Sequence, residues 1–467
     1  MTNYDLASFI ANAKPRATTL SAASLAIMDT IAVLLAGSVE DATTRIEATL
    51  PPKLGRGSFP SFNPFIRVRA EDAALLYGTA AHALDFDDVS MLAICHPSAP
   101  VLAALLAGED WARLSGEQLC EAHAVGTEVM IRMGQALGFR HYEIGFHSTA
   151  TMGVFGATAA LTKLLGLDHA QIVNALAIAA SLASGLRLNF GSMIKPVHVG
   201  VAAANALRAI EWSRAGVEAS HGELFAPGGV FDALSGGTQL VWPEDVRLGE
   251  PFAIDAPGFE RKRYACCYLL HKIIALGKEV AAQGILLDEI VRFRIEMPTG
   301  GTRPLNHPFP KSGRQAMFSG PYALIAAILD GNIDFHSFDD RSVARHEVQS
   351  RLGDVTIEEI FGPPLTPEQI GAAPVRLEVL MRDGSTRRLE RVAAPGSPAD
   401  PFTAKDLEAK WIDCLRRANP SLPAASASAL YAGGVASLRS GALEGWLTNV
   451  WSAARSSETP NARAVSA

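Results

Sequence analysis

The sequence predicts a mainly α fold, a large all-helical domain with a smaller α+β lid domain inserted before its last helices. Three observations carry this reading. Apolar residues recur at helical spacing from about residue 22 to residue 213. The period changes to strict alternation in two stretches after residue 252. A helical pattern returns from about residue 403.

Local signals support each part. Ser115-Gly116-Glu117-Gln118 reads as a capping box ahead of apolar positions that run through Val125 and Met130. Gly166 ends one helix, and Asp168-His169-Ala170-Gln171 caps the next, whose apolar positions are Ile172, Leu176, Ala179 and Leu182. Ala and Gly are abundant and aromatics make up only 7%. Small side chains let helices approach closely, so a dense bundle is expected, and no fixed-period repeat suggests a solenoid. Val291, Phe293, Ile295 and Met297 alternate with Arg292, Arg294 and Glu296, the period of a half-buried strand. Val375, Leu377 and Val379 repeat the pattern, and Asp383-Gly384 predicts a type I′ turn into residues 387–392. Residues 322–329 and 342–350 read as helices. The expected boundaries are a helical domain over 1–262 and 401–456, the α+β lid domain over 263–400, and a disordered tail over 457–467.

Composition narrows the function classes. A chain of 467 residues has room for two to four domains and a large core. The charged share is 19%, below the usual ~25%, which excludes a disordered chain and a charge-laced coiled coil. The net charge is −7 with no basic tract, so no nucleic-acid partner is expected. Mean hydropathy is +0.16. The apolar runs 25–35 and 101–107 are nevertheless short of the ~18–20 residues of a membrane span, and Asp29 breaks the first. No membrane partner is expected. Asp5 precedes any apolar stretch, which does not read as a secretory signal. The five cysteines, at 95, 120, 266, 267 and 414, form no CxxC. The expectation is a reduced, cytoplasmic protein with no metal and no other cofactor.

Five polar clusters interrupt the Ala-rich helices: Asp85 to His96, His141 to Thr149, Asn189 to His198, Lys262 to Lys272 and Arg314 to Tyr322. Taken singly, each has a bland reading. A His beside a Pro caps a helix, a Lys sits in a loop, a Tyr packs in the core, and adjacent cysteines are small buried hydrophobes. Taken together, His, Lys and Tyr at several breaks suit proton transfer near neutral pH and the holding of carboxylates.

The strings His82-Ala83-Leu84-Asp85-Phe86-Asp87-Asp88 with His96-Pro97, Gly145-Phe146-His147-Ser148-Thr149, Asn189 through Lys195-Pro196-Val197-His198, and Tyr264-Ala265-Cys266-Cys267 resemble the MmgE/PrpD family, in order along nearly the whole chain. That family includes 2-methylcitrate dehydratases, cis-aconitate decarboxylases and an iminodisuccinate epimerase. The resemblance implies a helical domain plus a lid domain, usually a homodimer, with no required metal. It implies acid/base chemistry next to a carboxylate of a small di- or tricarboxylate, with a hydro-lyase ranked first and an epimerase or decarboxylase as alternatives. Carried over residue by residue, it marks His96, Tyr142, His147, Lys195 and His271 as catalytic. It marks Asp85, His198, Lys272 and Tyr322 as substrate-binding. Three positions depart from the pattern: Val89 replaces a hydroxyl residue, Ser148 a Pro, and Met317 a Lys. Two other classes compete. One is a metal enzyme in which Asp85, Asp87 and Asp88 hold Mg²⁺ and a diphosphate. The other is a non-catalytic, metabolite-binding paralogue.

Overall fold

Backbone contact between two helices sets the geometry of the molecule's centre. A Cβ on Gly78 would lie 2.7 Å from the Gly200 Cα, and one on Gly200 would lie 2.1 Å from the Leu75 carbonyl oxygen. Only glycine at both positions lets the Ala70–His82 and Ile194–Arg214 helices touch this closely. The contact lies about one turn from His82 at one helix end and from Lys195 at the start of the other, so it brings those two ends together. Gly126 and Gly156 do the same for the Gly116–Glu143 and Ser148–Leu164 helices.

The computed structural model describes residues 1–50, 59–64, 66–220, 224–238, 242–360, 362 and 365–455. The tail expected over 457–467 lies outside them. The fold is mainly α, with 58% of residues helical and 9% in strands. Both capping boxes read from the sequence are present, at Ser115–Gln118 and Asp168–Gln171. The buried helix Ala17–Gly37 corrects one expectation. Its small residues extend the 25–35 run to 21 helical residues, long and apolar enough by length and composition to cross a membrane. Here it is a core helix, and Asp29 meets Lys410 at 2.8 Å. Lys410 lies on the Ala404–Ala418 helix, one of three final helices that pack back on the bundle.

The sheet has four strands in the order Val355–Ile360, Ile290–Pro298, Val375–Met381, Thr386–Arg391. The first pair is parallel and the others antiparallel. Alternation in the sequence predicts three of these strands. The fourth, Val355–Ile360, is half exposed along its length and too polar to announce itself. The hairpin turn differs from the type I′ expectation. Gly384 N–H donates to the Met381 carbonyl, and Gly384 has φ 83° while Asp383 does not have positive φ. This is a type I turn followed by a left-handed glycine, the three-residue hairpin loop. The helix expected over 342–350 is two single turns, Asp340–Val343 and His346–Gln349. Helices His271–Ala282 and Gly320–Asp330 pack with the sheet around Ile273, Leu324, Phe293 and Leu377.

The bundle and the sheet unit have separate apolar cores. Tyr142 and Phe190, from the bundle, belong to the sheet unit's core. A small cluster of Val89, Met91, Tyr268, Ile370 and Ala394 lies apart from both.

Candidate active site

The loop over residues 83–97 joins the Ala70–His82 and Ser98–Gly108 helices and carries most of the site's acids. Asp85 (φ 47°) and Ile94 (φ 45°) are the non-glycine residues with positive φ among the described residues. A left-handed Ile is sterically costly, about 1–3 kcal/mol, so the surroundings must hold this loop. Several contacts do. Val89 and Glu260 exchange backbone hydrogen bonds at 2.9 Å, and Ser90 N–H donates to the Cys95 carbonyl at 2.8 Å. Lys262 Nζ donates to the Asp85 carbonyl at 2.8 Å, and Lys410 Nζ to the Phe86 carbonyl at 3.0 Å.

The three neighbouring carboxylates face different partners. Asp85 accepts from Lys262 at 2.8 Å and from Lys195 at 3.1 Å. Asp87 accepts from His82 Nδ1 at 2.8 Å. Asp88 accepts from Ser98 Oγ at 2.5 Å and from the Ser98 N–H at 3.1 Å. Burial works to raise all three pKa values. The ammonium groups overcome it for Asp85, and interaction with the His82 and His96 rings, including their hydrogen bonds, overcomes it for Asp87, so both acids fall well below the usual range. Asp88 has no cation and is pushed up to about 7. The arrangement is therefore not a set of three carboxylates converging on one cation, as the Mg²⁺ reading requires.

Lys195 is buried in the first turn of its helix, where Pro196 lacks an N–H that would have no intrahelical partner anyway. Its ammonium lies 2.7 Å from His82 Nε2 and about 5 Å from the Phe190 and Phe318 ring centres (5.2 and 5.3 Å). Because His82 Nδ1–H donates to Asp87, Nε2 is the acceptor for Lys195. Burial lowers the Lys195 pKa against the pull of Asp85, whereas the Asp85 and Asp87 charges raise that of Lys262. His96 lies between the two carboxylates, 3.5 Å from Asp85 and 3.3 Å from Asp87. His147, just before the Ser148–Leu164 helix, has Nδ1 3.2 Å from His198 Nδ1. Its ring stacks 5.6 Å from that of His82. Burial lowers the pKa of all four histidines, with His82 and His198 at about 4, so all are neutral at pH 7. Tyr142 stays protonated, raised by burial, with the Arg187 guanidinium 4.8 Å from its ring centre.

Asp85, His96, Tyr142, His147, Lys195 and Lys262 share a cavity of about 60 Å³ at the junction of bundle and sheet unit. That is room for about two water molecules at ~30 Å³ each. Val89 lines it too, so the missing hydroxyl is a property of the site. A larger cleft of about 310 Å³ is also lined by Asp85 and Lys195, together with His82.

Five of the sequence-predicted residues thus come together in the cavity, and His198 supports His147 from behind. Three do not reach it, and these are corrections. His271 is fully buried at the start of its helix, its ring against Tyr264 and Tyr268. Lys272 donates to the Gly371 and Ala373 carbonyls at 2.7 and 2.6 Å, so its charge is spent on backbone. The Tyr322 hydroxyl donates to the Ser337 carbonyl within the sheet unit's own core. The reading missed His82, Asp87 and Lys262. His82 and Asp87 stood in the same string as Asp85, and this was the available signal. Lys262 sits beside Arg263, and nothing local shows that Lys262 turns inward while Arg263 pairs with the exposed Asp406.

His82, Asp85, Asp87 and His96 also place ligand-type atoms within 4.8 Å of one another. Asp85 is already neutralised by two ammonium groups and His82 Nδ1 is taken by Asp87. The donor set fits an ammonium–carboxylate network, and a divalent ion would have to break it.

Residues 4–243 match the MmgE/PrpD N-terminal domain, and residues 264–429 match the MmgE/PrpD C-terminal domain. The chain is 29% identical over 372 residues to the cis-aconitate decarboxylase of Homo sapiens, covering 77% of this chain and 74% of that protein. It is likewise 29% identical over 372 residues to the Mus musculus cis-aconitate decarboxylase, covering 77% and 73%. To a cis-aconitate decarboxylase of Aspergillus terreus it is 30% identical over 339 residues, covering 67% and 68%.

Proposed function

The chain belongs to the MmgE/PrpD family, and on that premise we propose that it is an acid/base lyase that removes CO₂ from a small carboxylic acid. The observation that carries this is the Lys195 ammonium, held by Asp85 and His82 in the cavity shared with His96, His147 and Tyr142. The relatives' names favour decarboxylation over the dehydration ranked first from sequence.

The residues have the following roles in this reading. Lys195 and Lys262 hold the carboxylate that stays. The bond to the departing carboxylate breaks, CO₂ leaves, and the electron pair spreads into the held carboxylate. Lys195 stabilises that charge, and the apolar surroundings strengthen the interaction. Each charge-assisted hydrogen bond contributes about 1.5–3 kcal/mol. Substrate charge raises the pKa of the facing imidazoles, so a proton enters with the substrate. His147 then passes it to carbon, with His198 behind it. Asp87 and His82 orient Lys195.

The test is NMR in D₂O with citrate-, aconitate- and aspartate-derived acids, comparing the protein with Lys195→Ala. Expected are CO₂ release, deuterium in the product, and a loss of at least about a hundred-fold in the variant. Variant turnover within a few-fold of the parent overturns the assignment. Epimerisation is the second reading, because Tyr142 shares the cavity with His147 and Lys195. It would appear as deuterium wash-in without CO₂, and dehydration as water loss without CO₂.

A further inference from the structure

Building on the lyase reading, we infer that the substrate carries an apolar arm where a tricarboxylate would carry its outlying carboxylate. The cavity has two unlike poles. At one, Lys195 and Lys262 both bond the Asp85 carboxylate, so part of their positive charge is already balanced. At the other, the wall is Val89, Met91, Ile94, Phe139, Leu269 and Ile370. Val89, Met91 and Ile370 form an apolar cluster of their own, with Phe139 and Leu269 packed on it. Among the described residues, no Lys or Arg other than Lys195 and Lys262 lines this cavity.

Three cations lie near the apolar pole without lining the cavity. Arg303 covers the Phe139 ring at 4.9 Å and pairs with Glu143 at 2.8 Å. Lys272 is held by two backbone carbonyls. Arg187 lies over the Tyr142 ring and donates to the Arg303 carbonyl. A carboxylate at that pole would be desolvated with no Lys or Arg on the wall beside it, whereas an alkyl group there is removed from water at no such cost. The larger cleft gives no refuge to a further carboxylate. Its wall carries Glu40, Asp41, Asp339 and Asp340, and its two arginines already pair with Glu40 and Asp41. Charge balance and lining thus select an acid with its carboxylates at one end and a small hydrocarbon at the other.

Calorimetric titration of the full chain with maleate, cis-aconitate and isobutylmaleate tests this. Isobutylmaleate replaces the carboxymethyl arm of cis-aconitate with an apolar arm of the same number of heavy atoms. The expected result is isobutylmaleate binding at least about ten-fold more tightly than either of the others. Ile370→Lys is expected to invert the preference toward cis-aconitate. Val89→Thr, which keeps the shape and adds a hydroxyl, is expected to narrow the ratio and serves if the first variant does not fold. Cis-aconitate binding as tightly as isobutylmaleate, or a ratio unmoved by the substitutions, overturns the inference and leaves the lyase reading standing. Unchanged binding of all three acids in Lys195→Ala overturns the lyase reading instead, and failure of all three to bind the parent protein overturns both.

Discussion

The bundle and the sheet unit both bury polar side chains, and they use them differently. In the bundle, buried ionisable groups are wired to one another: Lys262 and Lys195 to Asp85, His82 to Asp87, His147 to His198, Lys410 to Asp29. In the sheet unit Lys272 and Tyr322 are tied to backbone carbonyls, and His271 packs against the Tyr264 and Tyr268 rings. A network of charges can shift protons and accept an incoming anion. A side chain bonded to its own backbone does neither. The difference teaches that the bundle carries the residues of the proposed chemistry, and the sheet unit supplies walls such as Leu269, Pro304 and Ile370.

The sharpest way to break this comparison is to cut the bundle's wiring. Lys410→Met leaves Asp29 buried without its cation and frees the Phe86 carbonyl that anchors the site loop. A loss of about 3–5 kcal/mol in chemical denaturation is expected. A loss under 1 kcal/mol would mean the pair is not a structural tie. Next in size is His147→Leu, which removes the proposed proton donor. It should lower turnover about a hundred-fold while melting changes little. The matched change in the sheet unit, His271→Leu, should leave turnover within a few-fold. If the two variants fall equally, the contrast fails.

Acid and alkali sharpen the same contrast. His82, His141 and His198 are held neutral, with pKa values near 4. The unfolded chain binds protons below about 6.5 while the folded chain does not. Their contribution to stability is therefore full above pH 6.5 and falls as pH drops toward 4. Glu260 works in reverse. Burial raises it to about 8, so its contribution is full below its unfolded value near 4.5 and is lost as pH rises through 8. Glu260→Gln should raise the melting temperature at pH 8.5 and leave it unchanged at pH 4.5. An equal shift at both would show that Glu260 is not held protonated. The smallest effect is Tyr322→Phe, which removes one hydrogen bond to the Ser337 carbonyl and should cost about 1 kcal/mol with turnover intact.

The contrast also explains what was legible in the sequence. His82, Asp85 and Asp87 stand in one short string, and Lys195 and His198 are three residues apart on one helix, the spacing that shares a face. Local strings of this kind expose the bundle's half of the site. His271 and Tyr322 belong to similar strings, and their strings say nothing of depth. Whether a buried His faces a cavity or the ring of Tyr264 depends on how two units dock, which no local pattern encodes.

By itself the sequence determined the helical periodicity, the capping boxes, three strands of the four-stranded sheet and the residue types gathered in the proposed site. These follow from side-chain period and from bonds between residues a few positions apart. Tertiary structure alone decided that Lys262 and Lys195 share Asp85 across 177 and 110 residues. It also decided that the helix Ala17–Gly37 lies within the core, that the loop carries a left-handed Ile94, and that one pole of the cavity is apolar. Each of these is a balance of desolvation against charge or packing, and that balance exists only once distant segments have closed around the same few cubic ångströms.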